Sequence, residues 1–249
     1  MNITIEDQKV YIEMKDQIRE VIEWGKLQGG CKPPNPAKTD MFDMDKSSSP
    51  LSEKDSCTLH SVVQKLPYIT KRTRADIETA ISFLCIRVSN PTHEDKINLT
   101  RVLGYLENTI DLVRTIGASS FLVLSSWVDA SYAVHKDMRS HTSGLMSFVT
   151  GTIHSKSSKQ KLNIKSSTEA ELVGVSEYLP YHFWLMNVMK VQEINIEKKL
   201  SLQDNQSAIR MERNGWNSCT GNSRHINKHF FFLKDCVDSG DIKNPVLSH

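Results

Sequence analysis

The stretch Lys159–Gly174, KQKLNIKSSTEAELVG, decides the fold. Its first half, Gln160 to Lys165, reads as a polar strand, and its second half opens a helix at Ser167 or Thr168. A Ser or Thr followed three residues later by Glu is a capping-box pattern, because each side chain satisfies an orphan backbone N–H of the first turn. Thr168 and Glu171 have that spacing. Leu172, Val175, Leu179, Phe183 and Met186 follow at helical intervals and supply a buried stripe. Phe183 and Trp184 are expected to complete its core. Glu171 then stands in the first turn, beside the core-facing stripe, at the edge of the structure. A carboxylate there is either an ordinary cap or an acid aimed at something, and this stretch alone does not choose.

Two other acids bear on the choice. Phe121–Asp129 (FLVLSSWVD) is a strand-like run ending in an acid, and Leu200–Asp204 (LSLQD) is a shorter one with the same ending. Asn205 to Ile209 then begins a helix. Two strands that each end in Asp, plus a glutamate in a helix's first turn, can converge on one edge of an α/β sheet. Like charges at such range repel unless a cation holds them together. Two magnesium ions do this in nucleases that clamp the attacking and leaving oxygens of a phosphodiester. Taken singly, each Asp is a helix cap or turn residue; the three together point to a metal centre.

Five motifs fall in one order along the chain: Asp129-Ala130-Ser131-Tyr132, Ser140-His141-Thr142-Ser143-Gly144, Lys159-Gln160-Lys161, Ser166 to Gly174, and Gln203 to Ile209 (QDNQSAI). Together they resemble the ribonuclease H domain of copia-type retrotransposon Pol polyproteins. The resemblance implies an α/β fold with a mixed sheet of ribonuclease H type: three antiparallel strands, a helix, a strand and a helix. It implies that Asp129, Glu171 and Asp204 are the catalytic and metal-ligating carboxylates, with Glu169 as the fallback for Glu171. Two Mg2+ ions, or Mn2+, are the implied cofactors, and the implied reaction is hydrolysis of RNA in an RNA–DNA hybrid. Ser131, Ser143, Asn205 and Gln206 are candidate nucleic-acid contacts, for which turn and cap chemistry is an equal alternative. Lys156, Lys159, Lys161 and Lys165 either track a phosphate backbone or guard a sheet edge. The family's fourth carboxylate lies in a further segment not found before His249. A second reading therefore stands beside the first, an impaired transposon relic that at most binds nucleic acid.

Upstream, Lys71-Arg72-Thr73-Arg74-Ala75-Asp76-Ile77 and Ser89-Asn90-Pro91-Thr92 resemble the connection segment of the same polyprotein. The domain reading is then a reverse transcriptase remnant over 1–30, a linker over 31–55, a helical connection segment over 56–116 and the ribonuclease H-like domain over 117–249. No YxDD polymerase turn occurs in the sequence, which excludes DNA polymerisation. The implied partners are nucleic acid and the remainder of a Pol polyprotein, with no membrane. The implied location is cytoplasm or nucleus, or a virus-like particle in an active element.

Composition agrees with a folded protein of this kind. Of 249 residues, 39% are hydrophobic and 24% charged, which excludes a disordered chain. A net charge of +2 provides no global field to attract nucleic acid, so binding must come from local patches. Five scattered cysteines form no C-x-x-C pair and exclude a zinc or disulfide scaffold. The remaining elements are read as follows. Ile3–Met14 forms a hairpin around Asp7-Gln8-Lys9, and Lys15–Leu27 a short helix with Trp24 at its margin. A helix from Cys57 ends at Pro67, one with Ile77, Ala80, Ile81 and Leu84 inward follows, and Thr92 with Asp95 caps a third. In the main domain, strands are expected over Phe121–Asp129, Leu145–Thr150 and from Thr152. Ser223–Asp238 is a helix that packs on the sheet.

Overall fold

A computed structural model describes residues 1–25, 32–43, 47–117, 123–209 and 227–240. Its chain divides into two compact units, Met1–Ile116 and Gly117–His249.

The first unit starts with a hairpin, β1 (Asn2–Glu6) and β2 (Lys9–Glu13), paired in register from Asn2↔Glu13 to Glu6↔Lys9. Asp7 and Gln8 both take positive φ, 48° and 61°, the backbone of a two-residue turn whose twist matches the strands it joins. Four helices follow: α1 (Lys15–Trp24), α2 (Glu53–Arg72), α3 (Glu78–Arg87) and α4 (His93–Asn108). β3 (Arg114–Gly117) then lies beside β2 in the sheet order β1-β2-β3. Leu59, Val62, Val63 and Leu66 of α2 and Leu99, Val102 and Leu106 of α4 are buried in one core.

Pro67 does not end α2, contrary to the sequence reading; the helix runs on to Arg72. A proline inside a helix costs about 3 kcal/mol. Leu66 and Ile69 on either side are 0% and 2% exposed, and each buried aliphatic side chain contributes about 1.5–3 kcal/mol, so tertiary packing outweighs the proline. The stretch 31–55, read as a linker, also contributes to this core. Met41 is buried in it, and Phe42 meets the Phe83 ring edge-on at 5.1 Å. The basic run at 71–74 is largely committed within the unit: Arg74 is buried, its Nη2 donates to Asp76 at 2.7 Å, and Lys71 pairs with Glu78. Trp24 is exposed rather than packed.

In the second unit, β4 (Val123–Ser131), β5 (His141–Ser147) and β6 (Thr152–Lys159) form an antiparallel meander. Helix α5 (Ser167–Val191) crosses over, and β7 (Lys198–Leu202) returns parallel to β4, giving the order β6-β5-β4-β7. This is the mixed sheet of ribonuclease H type that the sequence led us to expect. A helical turn over 206–209 and helix α6 (Asn227–Asp238) follow.

The element bounds shift in informative ways. Residues 160–166 are not a strand, because β6 ends at Lys159. β4 and β5 also lie later and earlier, respectively, than expected, and Phe121, Leu122, His225 and Ile226 fall outside the described residues. α5 is capped by Ser166, whose Oγ accepts from the Glu169 N–H at 3.2 Å. Glu169 Oε2 in turn accepts from the Lys165 N–H at 2.9 Å. The capping pair is therefore Ser166 and Glu169, not Thr168 and Glu171. Capping uses the glutamate held as fallback and leaves Glu171 for something else. Leu172, Val175 and Leu179 are buried as the stripe predicts, whereas Trp184 is 61% exposed. α6 packs against α5, with Phe183 and Phe232 edge to face at 6.1 Å. Among the described residues, no helix is long and apolar enough to cross a membrane.

Candidate functional site

Strand register brings the first two acids together. β4 and β7 are parallel neighbours with Trp127 opposite Leu202, so Asp129 and Asp204 each lie two residues beyond that last pair. Neighbouring strands are about 4.8 Å apart, which puts both acids side by side at the carboxyl ends of the sheet. The third acid arrives on α5. Gly174 lies so close to the sheet that a Cβ there would meet Thr142 at 3.2 Å and Ala130 at 3.4 Å. That close approach seats the helix directly over β4. Glu171, one turn earlier, reaches the strand end, and its Oε1 accepts from the Ala130 N–H at 3.3 Å.

The result is a cluster in which one carboxylate oxygen from each of Asp129, Glu171 and Asp204 lies within 4.8 Å of the others. Asp129 and Asp204 are exposed, whereas Glu171 is buried and sits in the second turn of α5. Burial pushes the Glu171 carboxyl up to about 7, and the charges of Asp129 and Asp204 add to the rise. Hydrogen bonds from Gln203 and the Ala130 N–H act in the opposite direction. A buried acid facing two others is a poor structural pair and a good divalent-cation ligand set, since hard cations take carboxylate oxygens. Gln203 adds a polar atom of the right kind. It is 3% exposed, its Nε2 donates to Glu171 Oε2 at 3.3 Å, and its Oε1 has no partner among the described residues. The donor set fits a hydrated divalent ion.

The candidate contact residues flank this cluster. Ser143 lies opposite Asp129 on β5, with its Oγ 3.0 Å from Ser157 Oγ. Ser131 is half-buried two residues beyond Asp129. Asn205 Oδ1 accepts from the Ala208 N–H at 3.0 Å, so that oxygen is a helix cap, while Gln206 is exposed in the turn it caps. Of the four lysines, Lys159 pairs with Asp137 at 2.7 Å and Lys156 donates to the Tyr181 hydroxyl at 2.9 Å.

Sequence reasoning missed three buried polar groups. Gln203 is one, and its signal is an amide between the last apolar residue of β7 and the acid that follows. Gln160 is another; its Nε2 donates to Thr142 Oγ1 at 2.8 Å and to the Ala170 carbonyl at 2.9 Å, fixing the backbone just before Glu171. The third is a chain in which His135 Nε2 lies 3.0 Å from His141 Nδ1, and His141 Nε2 lies 2.7 Å from Ser157 Oγ. Burial, with the charge of His135 alongside, pushes His141 down to about 4, so the His141 ring is neutral near pH 7.

The sheet order and acid cluster define an α/β unit of ribonuclease H type. No protein-family profile matches the chain. It is 28% identical over 184 residues, 74% of its length, to the retrovirus-related Pol polyprotein from transposon TNT 1-94 of Nicotiana tabacum. It is 26% identical over 221 residues, 83% of its length, to the Pol polyprotein from transposon RE1 of Arabidopsis thaliana. The chain is similar to retrotransposon Pol polyproteins over most of its own length, consistent with a copia-type Pol fragment. It spans 14% and 15% of the length of these two relatives. Among solved structures, the LC11 ribonuclease H1 isolated from compost is similar over 51% of this chain and 86% of its own, with a TM-score of 0.38 and 9% identity.

Proposed function

We propose that the second unit is a metal-dependent ribonuclease H that cleaves the RNA strand of an RNA–DNA hybrid. Residues 56–116 of the first unit would serve as its helical connection segment. The observation that carries this reading is the meeting of Asp129, Glu171 and Asp204 within 4.8 Å, with the buried member flanked by two like charges. Bound Mg2+, or Mn2+, would supply Lewis-acid stabilisation of the leaving oxygen and a more acidic water. Asp129 and Asp204 hold the exposed side of the site, where a phosphodiester can approach. Glu171 holds the inner side, its carboxylate fixed by the Ala130 N–H and the Gln203 amide. Ser131, Ser143 and Gln206 lie where short polar side chains would meet sugar or phosphate, the contacts that position a duplex without reading its sequence. Choice of RNA over DNA would rest on the 2′-hydroxyl and on helix shape.

Cleavage of an end-labelled hybrid with and without Mg2+, by the wild type and by Asp129→Asn, tests the proposal. Cleavage that needs both the ion and Asp129 supports it. Equal cleavage by both proteins removes the assigned site, and binding of the hybrid without cleavage by either leaves the relic reading.

A further inference from the structure

The residue before the second strand acid is a buried amide beside the carboxylate cluster. Gln203 lies between Leu202, the last residue of β7, and Asp204. Its side chain is 3% exposed. Burying an amide costs free energy unless both its ends are satisfied. Only one end is: Nε2 donates to Glu171 Oε2 at 3.3 Å, while Oε1 has no partner among the described residues. An apolar side chain of the same length would fill this position without an orphan atom. The amide therefore calls for an explanation other than packing.

The geometry at Glu171 provides one. Its two carboxylate oxygens are held by two separate donors, Oε1 by the Ala130 N–H and Oε2 by Gln203 Nε2, each at 3.3 Å. One donor leaves a carboxylate free to swing about a single contact, whereas two donors on two oxygens fix its plane. Asp129 and Asp204 repel this group and would otherwise turn it away from the cluster. The backbone donor belongs to the residue after Asp129, and the amide to the residue before Asp204. Each strand thus supplies both an acid and a clamp for the glutamate between them.

We infer that Gln203 is a positioning residue, holding the Glu171 carboxylate in the orientation needed to share a divalent ion with Asp129 and Asp204. This rests on the metal-site reading above and deepens it. Ligating carboxylates are oriented by hydrogen-bonding partners, and loss of such a partner typically costs about tenfold to a hundredfold in metal affinity. Gln203 would act through Glu171 and touch no substrate.

Mn2+ binding, followed by the spectroscopic signal of the free ion, tests this without relying on turnover. Gln203→Met keeps the chain length and removes the donor. The expected result is about a tenfold to a hundredfold weaker Mn2+ affinity. Metal-free thermal stability should hold or rise, and in cleavage kcat should fall with KM for the hybrid unchanged. In a Glu171→Gln background the same Gln203→Met change should alter Mn2+ affinity little further, because its target is already gone. Should Gln203→Met fail to fold, Gln203→Asn, which draws the amide back by one methylene, carries the same test. Wild-type Mn2+ affinity in the folded variant, or an equal loss in the Glu171→Gln background, overturns the inference. Asp129→Asn separates the two levels. Mn2+ binding that needs Asp129 but ignores Gln203 overturns the positioning role alone. Wild-type protein with no Asp129-dependent binding overturns both.

Discussion

Two helices, one in each unit, bury an acid near their start, and the two acids are treated in opposite ways. Asp95 of α4 is 0% exposed and fully matched. It pairs with Arg87, accepts from the Thr92 N–H at 2.8 Å and from Thr92 Oγ1 at 2.9 Å. Glu171 of α5 is 5% exposed, and its nearest charges are two more carboxylates. Both lie near helix N-termini, where the backbone dipole favours negative charge. At the first, the surroundings complete an ion pair and a cap. At the second, capping is done by Ser166 and Glu169, and the buried acid remains with a charge imbalance that only a cation or a proton removes. Position in a helix therefore does not distinguish a structural acid from a functional one; the charges facing it do.

The comparison can be broken at either end. Asp95→Ala leaves the half-buried Arg87 without its fully buried partner, and loss of one member of such a pair costs about 3–5 kcal/mol. Chemical denaturation should show that loss in the first unit. Glu171→Gln should destabilise nothing at neutral pH, and an equal loss from both substitutions would erase the distinction.

Asp129→Asn should lower hybrid cleavage by about two orders of magnitude, since a divalent ion supplies several kcal/mol of charge stabilisation and about 1.4 kcal/mol is tenfold. Its thermal stability without metal should be unchanged or higher, because a repelling charge has gone.

The pH dependence of metal-free stability sharpens the contrast. Glu171 titrates at about 7 when folded, above its ordinary value of 4.5, so the folded state binds the proton more tightly. Its contribution to stability is complete below about 4.5 and is lost as pH rises through about 7. Thermal unfolding between pH 4.5 and 8 should show this decline in the wild type and a flatter profile in Glu171→Gln. The smallest effect is expected at the cap itself, where Ser166→Ala should cost about 1 kcal/mol and leave Mn2+ affinity nearly unchanged.

How much of this was legible in the sequence depends on what each residue's neighbours reveal. Asp129 and Asp204 end apolar runs, so their strands and the edge where they meet could be read from pattern alone. The parallel pairing that aligns them follows from the helix crossover between β6 and β7. β6 itself, TIHSKSSK, has too few apolar residues to alternate visibly, and its end was displaced onto the loop after it. The cap is ambiguous in sequence because Ser166, Ser167 and Thr168 offer three hydroxyls, and only the chain path selects Ser166. Local propensity makes Pro67 a stop, and the core around Leu66 and Ile69 overrides it. Gln203 and Gln160 were invisible as site residues, since their partners lie 32 and 18 or fewer positions away on other elements.

The central claim is that Asp129, Glu171 and Asp204 share a divalent ion, and calorimetric titration of Mg2+ into the metal-free protein near pH 6, repeated in buffers of different ionisation enthalpy, tests it most directly. The account predicts binding that releases about one proton, from Glu171, and that disappears in Asp129→Asn. Binding without proton release, or binding unchanged in Asp129→Asn, would contradict it.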